Sequence, residues 1–402
     1  MARAKRVDNR GRVLKVGESQ DKSGRYAYKW TDTNGKRNTI YSLDLAELRE
    51  KEKRIQRDLE DGIDSRGGEM ALDNLFQMYM NTKTNIRDTT KNNYINYWNG
   101  AIKPTLGAMQ INKIKQIHIK TLYANLINEG YAPGSIRMFN VLLSATLQMA
   151  VDSDLIRKNP CKGSMKGIKK DKTKKTALTI KQQEILLNFV QKSNVYKVYY
   201  PVIVFALSTG LRIGEICGLR WEDVDLKGSV IHVRQQLIYK NLGEGQKYYV
   251  HPLKTETSKR DIPLTEAAKK SLIKQRELDF ILGRRAKEKS LDGKKNYVFI
   301  NSVGKQFTPQ SLDHPLNNIV NTYNKRESVI AEGERREPVL LPHITAHILR
   351  HTACTRLAEA GIDPKALQVI MGHSDIATTM DIYNHADYER IQNEMKKAEN
   401  II

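Results

Sequence analysis

The chain has 402 residues, 40% of them hydrophobic, and its longest apolar run, Val202 to Leu207, is far shorter than the ~20 residues that cross a bilayer. With no apolar segment behind the basic start Met1-Ala2-Arg3-Ala4-Lys5-Arg6, neither a membrane span nor a secretory signal is expected. Lys and Arg outnumber Asp and Glu by 67 to 45, a net charge of +22, which points to a polyanionic partner, and the length calls for two or three domains.

The charge is placed unevenly. Residues 1–40 carry 11 basic and 4 acidic side chains, and residues 159–176 carry seven lysines and one aspartate. Residues 11–42 read as strands, beginning with Arg12 to Val16. From Arg25 to Thr31, Tyr26, Tyr28 and Trp30 alternate with Arg25, Ala27 and Lys29, so aromatic and basic side chains take opposite faces. Asn34-Gly35 supplies a hairpin turn and Lys36 to Tyr41 returns. Asp44 and Glu47 make a capping box, and Leu45, Leu48, Ile55 and Leu59 form a helical stripe able to cover the aromatic face. The basic side chains, Arg12, Lys15, Arg25, Lys29, Lys36 and Arg37, are then left for DNA, because a β-ribbon can enter the major groove.

Arg66-Gly67-Gly68 marks a boundary. Leu72 to Ile156 is helical in pattern, with Ile136, Phe139, Leu143, Leu147 and Ala150 on a core face. Asn159-Pro160 stops the last helix, and the lysine-rich stretch from Lys162 to Lys175 reads as an extended linker. Helices follow near 180–192 and 196–209, with Gly210 as the residue just past the helix end. Strands are expected at 229–239, 246–253 and 260–264, then helices at 266–286, 308–322, 345–360 and 363–371. No internal repeat is present. Three widely spaced cysteines, Cys161, Cys217 and Cys354, form no C-x-x-C. They argue against a disulfide framework or zinc ribbon and for a reducing cytoplasm.

The chemistry lies in an ordered set: Arg212 within Thr209-Gly210-Leu211-Arg212-Ile213-Gly214-Glu215, then His347-Ile348-Leu349-Arg350-His351, then Gly372-His373, then Tyr383. Two guanidiniums, two imidazoles and a phenol suit metal-free attack on a phosphodiester. Arginines stabilise the extra charge on pentacoordinate phosphorus through paired hydrogen bonds, and they favour a phenolate. His347 and Arg350, three apart on a helix capped at Thr345, share a face. His373, at a helix stop, is suited to a cleft. The spacing of His347 and His351 also matches the zinc-protease pattern, but Ile348 stands where the glutamate base belongs and Arg350 would repel a cation. His351, His343, His232 and His118 read as structural.

These boxes resemble those of the tyrosine recombinases, also called phage integrases. The resemblance spans about 180–390 for a catalytic domain. Residues 70–160 resemble the family's helical core-binding domain, and residues 1–62 resemble the arm-binding domain of conjugative-transposon integrases. It implies that Tyr383 is the nucleophile of a 3′-phosphotyrosyl intermediate and that Arg212 and Arg350 clamp the non-bridging oxygens. Lys254, in His251-Pro252-Leu253-Lys254, would be the general acid on a β-hairpin. His347 would assist proton transfer, His373 would hydrogen-bond the phosphate, and Glu215 would orient the Arg212 region. No cofactor or metal is needed, because the tyrosyl ester stores the phosphodiester energy.

The expected fold is multidomain α+β. Residues 1–65 form a small three-stranded-sheet-plus-helix arm-binding domain, 70–160 an all-α core-binding domain, and 161–176 a basic linker. Residues 177–402 form a mainly α catalytic domain with a small antiparallel sheet and a C-terminal tail. The expected partners are double-stranded DNA attachment sites of core and arm type, bound by a homotetramer. The family further implies an excisionase and a host DNA-bending protein, and no membrane. A type IB-like topoisomerase and a non-catalytic DNA-binding regulator are the alternatives. Past Tyr383, the stripe Tyr388, Ile391, Met395 and Ala398 would pack either in cis or on a neighbouring protomer.

Overall fold

The computed structural model describes residues 6–32, 35–63, 67–168, 177–241, 245–253 and 258–383. The tail stripe from Tyr388 to Ala398 and Lys254 lie outside them. The chain divides into two compact units, Met1–Lys172 and Thr173–Ile402.

The first unit opens with an antiparallel sheet in the order β1 (Glu18–Gln20), β2 (Tyr26–Thr31), β3 (Arg37–Ser42). The first strand is not at Arg12 to Val16. Val13 makes only an isolated bridge with Val7, and the chain turns at Gly17, where φ is +89° and a Cβ would lie 2.8 Å from the Lys29 carbonyl. Pairing starts beyond that turn, with Glu18 opposite Tyr28. Tyr26 and Tyr28 are buried with Leu45 and Leu48 of α1 (Leu45–Glu60), and Trp30, Ile40 and Ile55 pack around them. The opposite face carries Lys29 on β2, with Thr39 opposite Lys29 and Tyr41 opposite Ala27 on β3, and Arg25, just ahead of β2, lies over the Tyr41 ring. Asp44 caps α1 through the Ala46 N–H. Glu47 bonds the Ser42 hydroxyl instead of closing a capping box.

A second core in this unit is all helical: α2 (Leu72–Asn81), α3 (Asp88–Tyr97), α4 (Lys103–Leu106), α5 (Gln116–Asn128) and α6 (Pro133–Asp152). Phe76 and Trp98 stack at its centre, 3.9 Å between ring centroids. Ile136, Phe139, Leu143, Leu147 and Ala150 are all buried. Residues 161–168, expected as the start of an extended linker, are instead packed on this core. Cys161 is buried on the helices, Met165 and Ile168 pack beside it, and the Ser164 hydroxyl bonds the Cys161 carbonyl at 2.7 Å. Those apolar residues, spaced three and four apart among the lysines, hold 161–168 in turns.

The second unit contains α7 (Ile180–Lys192), α8 (Tyr200–Thr209), α9 (Ile213–Gly218), β4 (Val224–Asp225), β5 (Val230–Val233), β6 (Gln235–Asn241), β7 (Gln246–Pro252), β8 (Arg260–Pro263), α10 (Glu266–Ile281), α11 (Pro309–Gly333), α12 (Ala346–Glu359), α13 (Pro364–Met371) and α14 (Ile376–Tyr383). The apolar helix α8 packs against both α10 and α12, as a helix hydrophobic on all sides must. The strand expected at 229–239 is two strands. It breaks at Arg234, whose guanidinium bonds the Arg260 carbonyl at 3.1 Å. β5 joins the sheet β4-β5-β8, and β6 pairs with β7 as a separate ribbon. The helix expected at 308–322 runs on to Gly333.

Candidate active site

Two left-handed glycines frame the site. Gly210 ends α8 and Gly372 ends α13, with φ of 63° and 62°. The last carbonyls of a helix have no partner within it. At the end of α13 and in the turn that follows, three successive carbonyls are each taken by a different arginine. Arg260 Nε donates to Ile370 at 2.8 Å, Arg350 Nη2 to Met371 at 2.6 Å, and Arg212 Nη2 to Gly372 at 2.6 Å. Arg350 Nη1 also donates to the Gly210 carbonyl at 2.7 Å, tying the two turns together. Cations are favoured here by the negative end of the helix dipole.

The arginines come from separate elements: Arg212 caps α9, Arg260 opens β8, and Arg350 lies in the second turn of α12. Glu215 joins two of them. Its oxygens accept from Arg260 Nη1 and Nη2 at 3.2 and 2.9 Å. They also accept from Arg212 Nη1 at 3.0 Å and from the Arg212 backbone N–H at 2.9 Å. Burial pushes the Glu215 carboxyl up, but the Arg260 hydrogen bonds and charge, joined by Arg212, hold it below the ordinary carboxylate range. Arg350 is only 6% exposed. Burial and the neighbouring Arg212 push it down to about 10, so it stays charged at neutral pH. The Arg212 side chain is 39% exposed and is the guanidinium of this group most open to a ligand.

His373 follows directly. Its Nδ1 lies 2.9 Å from the Thr379 hydroxyl of α14. Burial, then the charges of Arg350, Arg212 and Arg260, pulls the ring down to about 4, leaving it neutral at pH 7. Thus Arg212, Glu215, Arg350 and His373 converge. His347 is exposed in the first turn of α12, below the Thr345 cap that accepts from the Ile348 N–H at 3.3 Å. Tyr383 ends α14 and packs against Cys354, Ala358, Leu367 and Met371. Its hydroxyl donates to the Ile362 carbonyl. Lys254 falls in the connection between β7 and β8, outside the described residues.

Sequence reading missed Arg260 and Thr379. Strand alternation held the signal for Arg260: Arg260 and Ile262 are buried while Asp261 and Pro263 are exposed, so an arginine sits on a core face and must have an acid there.

In the amino-terminal sheet, Lys29 and Arg37 are exposed, as are Lys15 and Lys36 in its turns. Arg25 pairs with Asp21 at 3.0 Å and lies over the Tyr41 ring. Arg12 does not belong to that basic face. It pairs with Asp8 at 2.8 Å and donates to the hydroxyl of Tyr26, whose ring is on the covered face.

The model of the phage integrase family matches residues 176–390. That of the DNA-binding domain of Tn916 integrase matches 1–59, and the integrase N-terminal SAM-like domain matches 71–127. The chain is 34% identical to the transposase from transposon Tn916 of Enterococcus faecalis, over 98% of this chain and 96% of that protein. The structure of Tn1549 transposon integrase in complex with transposon right end DNA is similar, with a TM-score of 0.71 and 32% identity, covering 82% of this chain and 99% of that one. A lambda integrase dimer bound to a core site shares the fold at a TM-score of 0.54 and 18% identity, covering 92% and 95% of the two chains. Among the described residues no helix is long and apolar enough to cross a membrane. The chain belongs to the phage integrase family and is a tyrosine-type site-specific recombinase.

Proposed function

We propose that this recombinase integrates and excises a mobile element of the conjugative-transposon kind, cutting and rejoining DNA through a 3′-phosphotyrosyl intermediate and a Holliday junction. The observation that carries the reading is the arginine cluster at the end of α13, where three guanidiniums converge on successive carbonyls and one carboxylate, Glu215, pairs with two of them, Arg212 and Arg260. A scissile phosphate entering beside Arg212 would replace water at a preorganised positive site, where such groups act most strongly.

Arg212 and Arg350 would hold the non-bridging oxygens, and Glu215 would fix Arg212. In the tautomer in which the Thr379 hydroxyl donates to Nδ1, neutral His373 would carry its proton on Nε2 and donate it in a hydrogen bond to the phosphate. Tyr383 would leave the Ile362 carbonyl, attack phosphorus and free the 5′ hydroxyl, with His347 receiving or relaying the phenol proton. Lys254 would protonate the leaving 5′ oxygen.

Residues 1–65 would bind arm sites, and 70–160 and 177–402 would each contact the core sites. Four protomers would act together on DNA in the cytoplasm. Arg25, Lys29 and Arg37 would meet the arm-site duplex on the exposed sheet face, with Lys15 and Lys36 at its edge.

Nicked suicide duplex carrying an element end tests the reading. The expected product is a protein–DNA adduct that survives denaturant, disappears with protease, and is absent for Tyr383→Phe. Bound DNA without any adduct would instead favour a regulator, and relaxation without exchange between duplexes a topoisomerase.

A further inference from the structure

We propose that Arg260 is a positioning residue of the cleavage site, setting the spacing between Arg212 and His373 by joining Glu215 to the turn at the end of α13. This inference rests on the recombinase reading above. Arg260 is placed for such a task. Its side chain is 2% exposed, so it does not meet DNA itself. Its guanidinium divides its donors among three parts of the fold: both oxygens of Glu215 in α9, the Ile370 carbonyl in α13, and the Ser258 carbonyl at 3.0 Å just ahead of β8.

Two of those contacts lead directly to phosphate-binding groups. Glu215 holds the side chain and the backbone N–H of Arg212. Ile370 lies two residues before Gly372, whose carbonyl anchors the same Arg212 and whose successor is His373. Arg260 therefore closes a ring, Arg212 to Glu215 to Arg260 to Ile370 to Gly372 and back to Arg212. Gly372 is fitted against it: a Cβ there would lie 3.0 Å from Arg260 Cζ and 3.2 Å from Arg212 Nη1. A planar guanidinium can serve the carboxylate with two parallel bonds and a carbonyl with a third, whereas lysine cannot match that geometry. The Ser258 contact holds the stem of the connection in which Lys254 falls.

The ring makes a prediction that general stabilisation does not. Burial and then three guanidiniums, Arg350, Arg212 and Arg260, oppose protonation of His373, and the Glu215 carboxylate that pairs with Arg212 and Arg260 lies among them. Removing the Arg260 charge while keeping the fold should raise the pH at which His373 titrates.

The experiment compares the full chain with Arg260→Gln, Arg260→Lys and the double variant Arg260→Gln/Glu215→Gln, which removes both buried charges and guards against loss of folding. Single-turnover adduct formation is measured on saturating nicked duplex, alongside DNA affinity, thermal melting and the isotope-labelled His373 ring titration. Arg260→Gln is expected to slow adduct formation by about 100-fold, the scale of an ångström-level misplacement, with DNA affinity unchanged and the His373 midpoint raised. Arg260→Lys should recover part of the rate. Adduct formation near the full-chain rate in Arg260→Gln would overturn the proposal. So would a loss of rate that only tracks melting, with the double variant restored to full rate or the His373 midpoint unmoved. No adduct from the unaltered chain would overturn the recombinase reading itself and leave the His373 titration to judge the ring alone.

Discussion

The carbonyl of Gly372 accepts from Arg212 Nη2 at 2.6 Å across 160 residues of sequence. That contact makes a glycine part of the proposed phosphate-binding apparatus although it has no side chain. Gly372 holds a φ of 62°, where a Cβ costs roughly 1–2 kcal/mol, and the Cβ would also press on the Arg260 and Arg212 guanidiniums. Gly372→Ala is therefore expected to lose about 100-fold in adduct rate while the protein stays folded. Adduct kinetics beside a melting curve check this. Gly210→Ala is a useful contrast, since its Cβ would meet the flexible end of Met371 at 2.8 Å.

Glu215 predicts a pH dependence of stability. Its carboxyl is held below its ordinary range in the folded chain, so the unfolded chain binds its proton first as pH falls. The stabilisation is complete above the ordinary carboxylate midpoint near 4.5 and is lost as pH drops through the lowered folded value. Glu215→Gln leaves Arg260 buried with no carboxylate partner here, and breaking a buried pair from one side costs about 3–5 kcal/mol. Denaturant unfolding at pH 7 and under acid conditions should show a large loss for Glu215→Gln at pH 7 that narrows on acidification. A constant difference across that range would contradict the assignment.

The opposite chemistry holds at His373, with the same sign. Its folded value, about 4, lies below the ordinary 6.5. Between those limits the unfolded chain carries a proton that the folded chain does not, so stability falls as pH decreases from 6.5 and levels off below about 4. His373→Gln should flatten that part of the stability profile. Melting temperatures at closely spaced pH values provide the measurement.

Much of the candidate site is legible in the sequence. Arg212, Arg350, His373 and Tyr383 announce themselves through short strings in a fixed order. Gly210 and Gly372 read as helix ends because only glycine takes the left-handed turn without cost. Strand alternation marks Arg260 as inward-facing, but its partner was not legible, because Glu215 precedes it by 45 residues, lies on α9 and reaches it only in the fold. The fold showed the same division. The aromatic face of β2 and the core stripe of α6 followed from periodicity. Arg12 to Val16 suggested a strand, but only Val13 bridges there, to Val7, and sheet pairing starts at Glu18, past the turn at Gly17. The break at Arg234 was invisible within a continuous β-pattern, since it is made by contacts with Arg260 and Asp261.

Tyr383→Phe removes the hydroxyl that donates to Ile362. One such bond is worth about 1 kcal/mol, so the variant should melt only slightly lower than the unaltered chain. Cleavage should vanish and DNA affinity persist. Loss of affinity together with cleavage would make Tyr383 a packing residue of the α12–α14 cluster.

The amino-terminal sheet separates two kinds of arginine. Arg12 is bound to Asp8 and Tyr26, so Arg12→Ala should lower the stability of residues 1–62 more than it changes their salt dependence. Lys29 and Arg37 stand exposed on the sheet, and each phosphate contact contributes about 0.9 to the slope of log affinity against log salt. Lys29→Ala and Arg37→Ala should each weaken arm-site binding by the full chain and reduce that slope by roughly one, with melting unchanged. Fluorescence anisotropy across a salt series measures both quantities, and an unchanged slope in either variant would remove that side chain from the DNA-binding face.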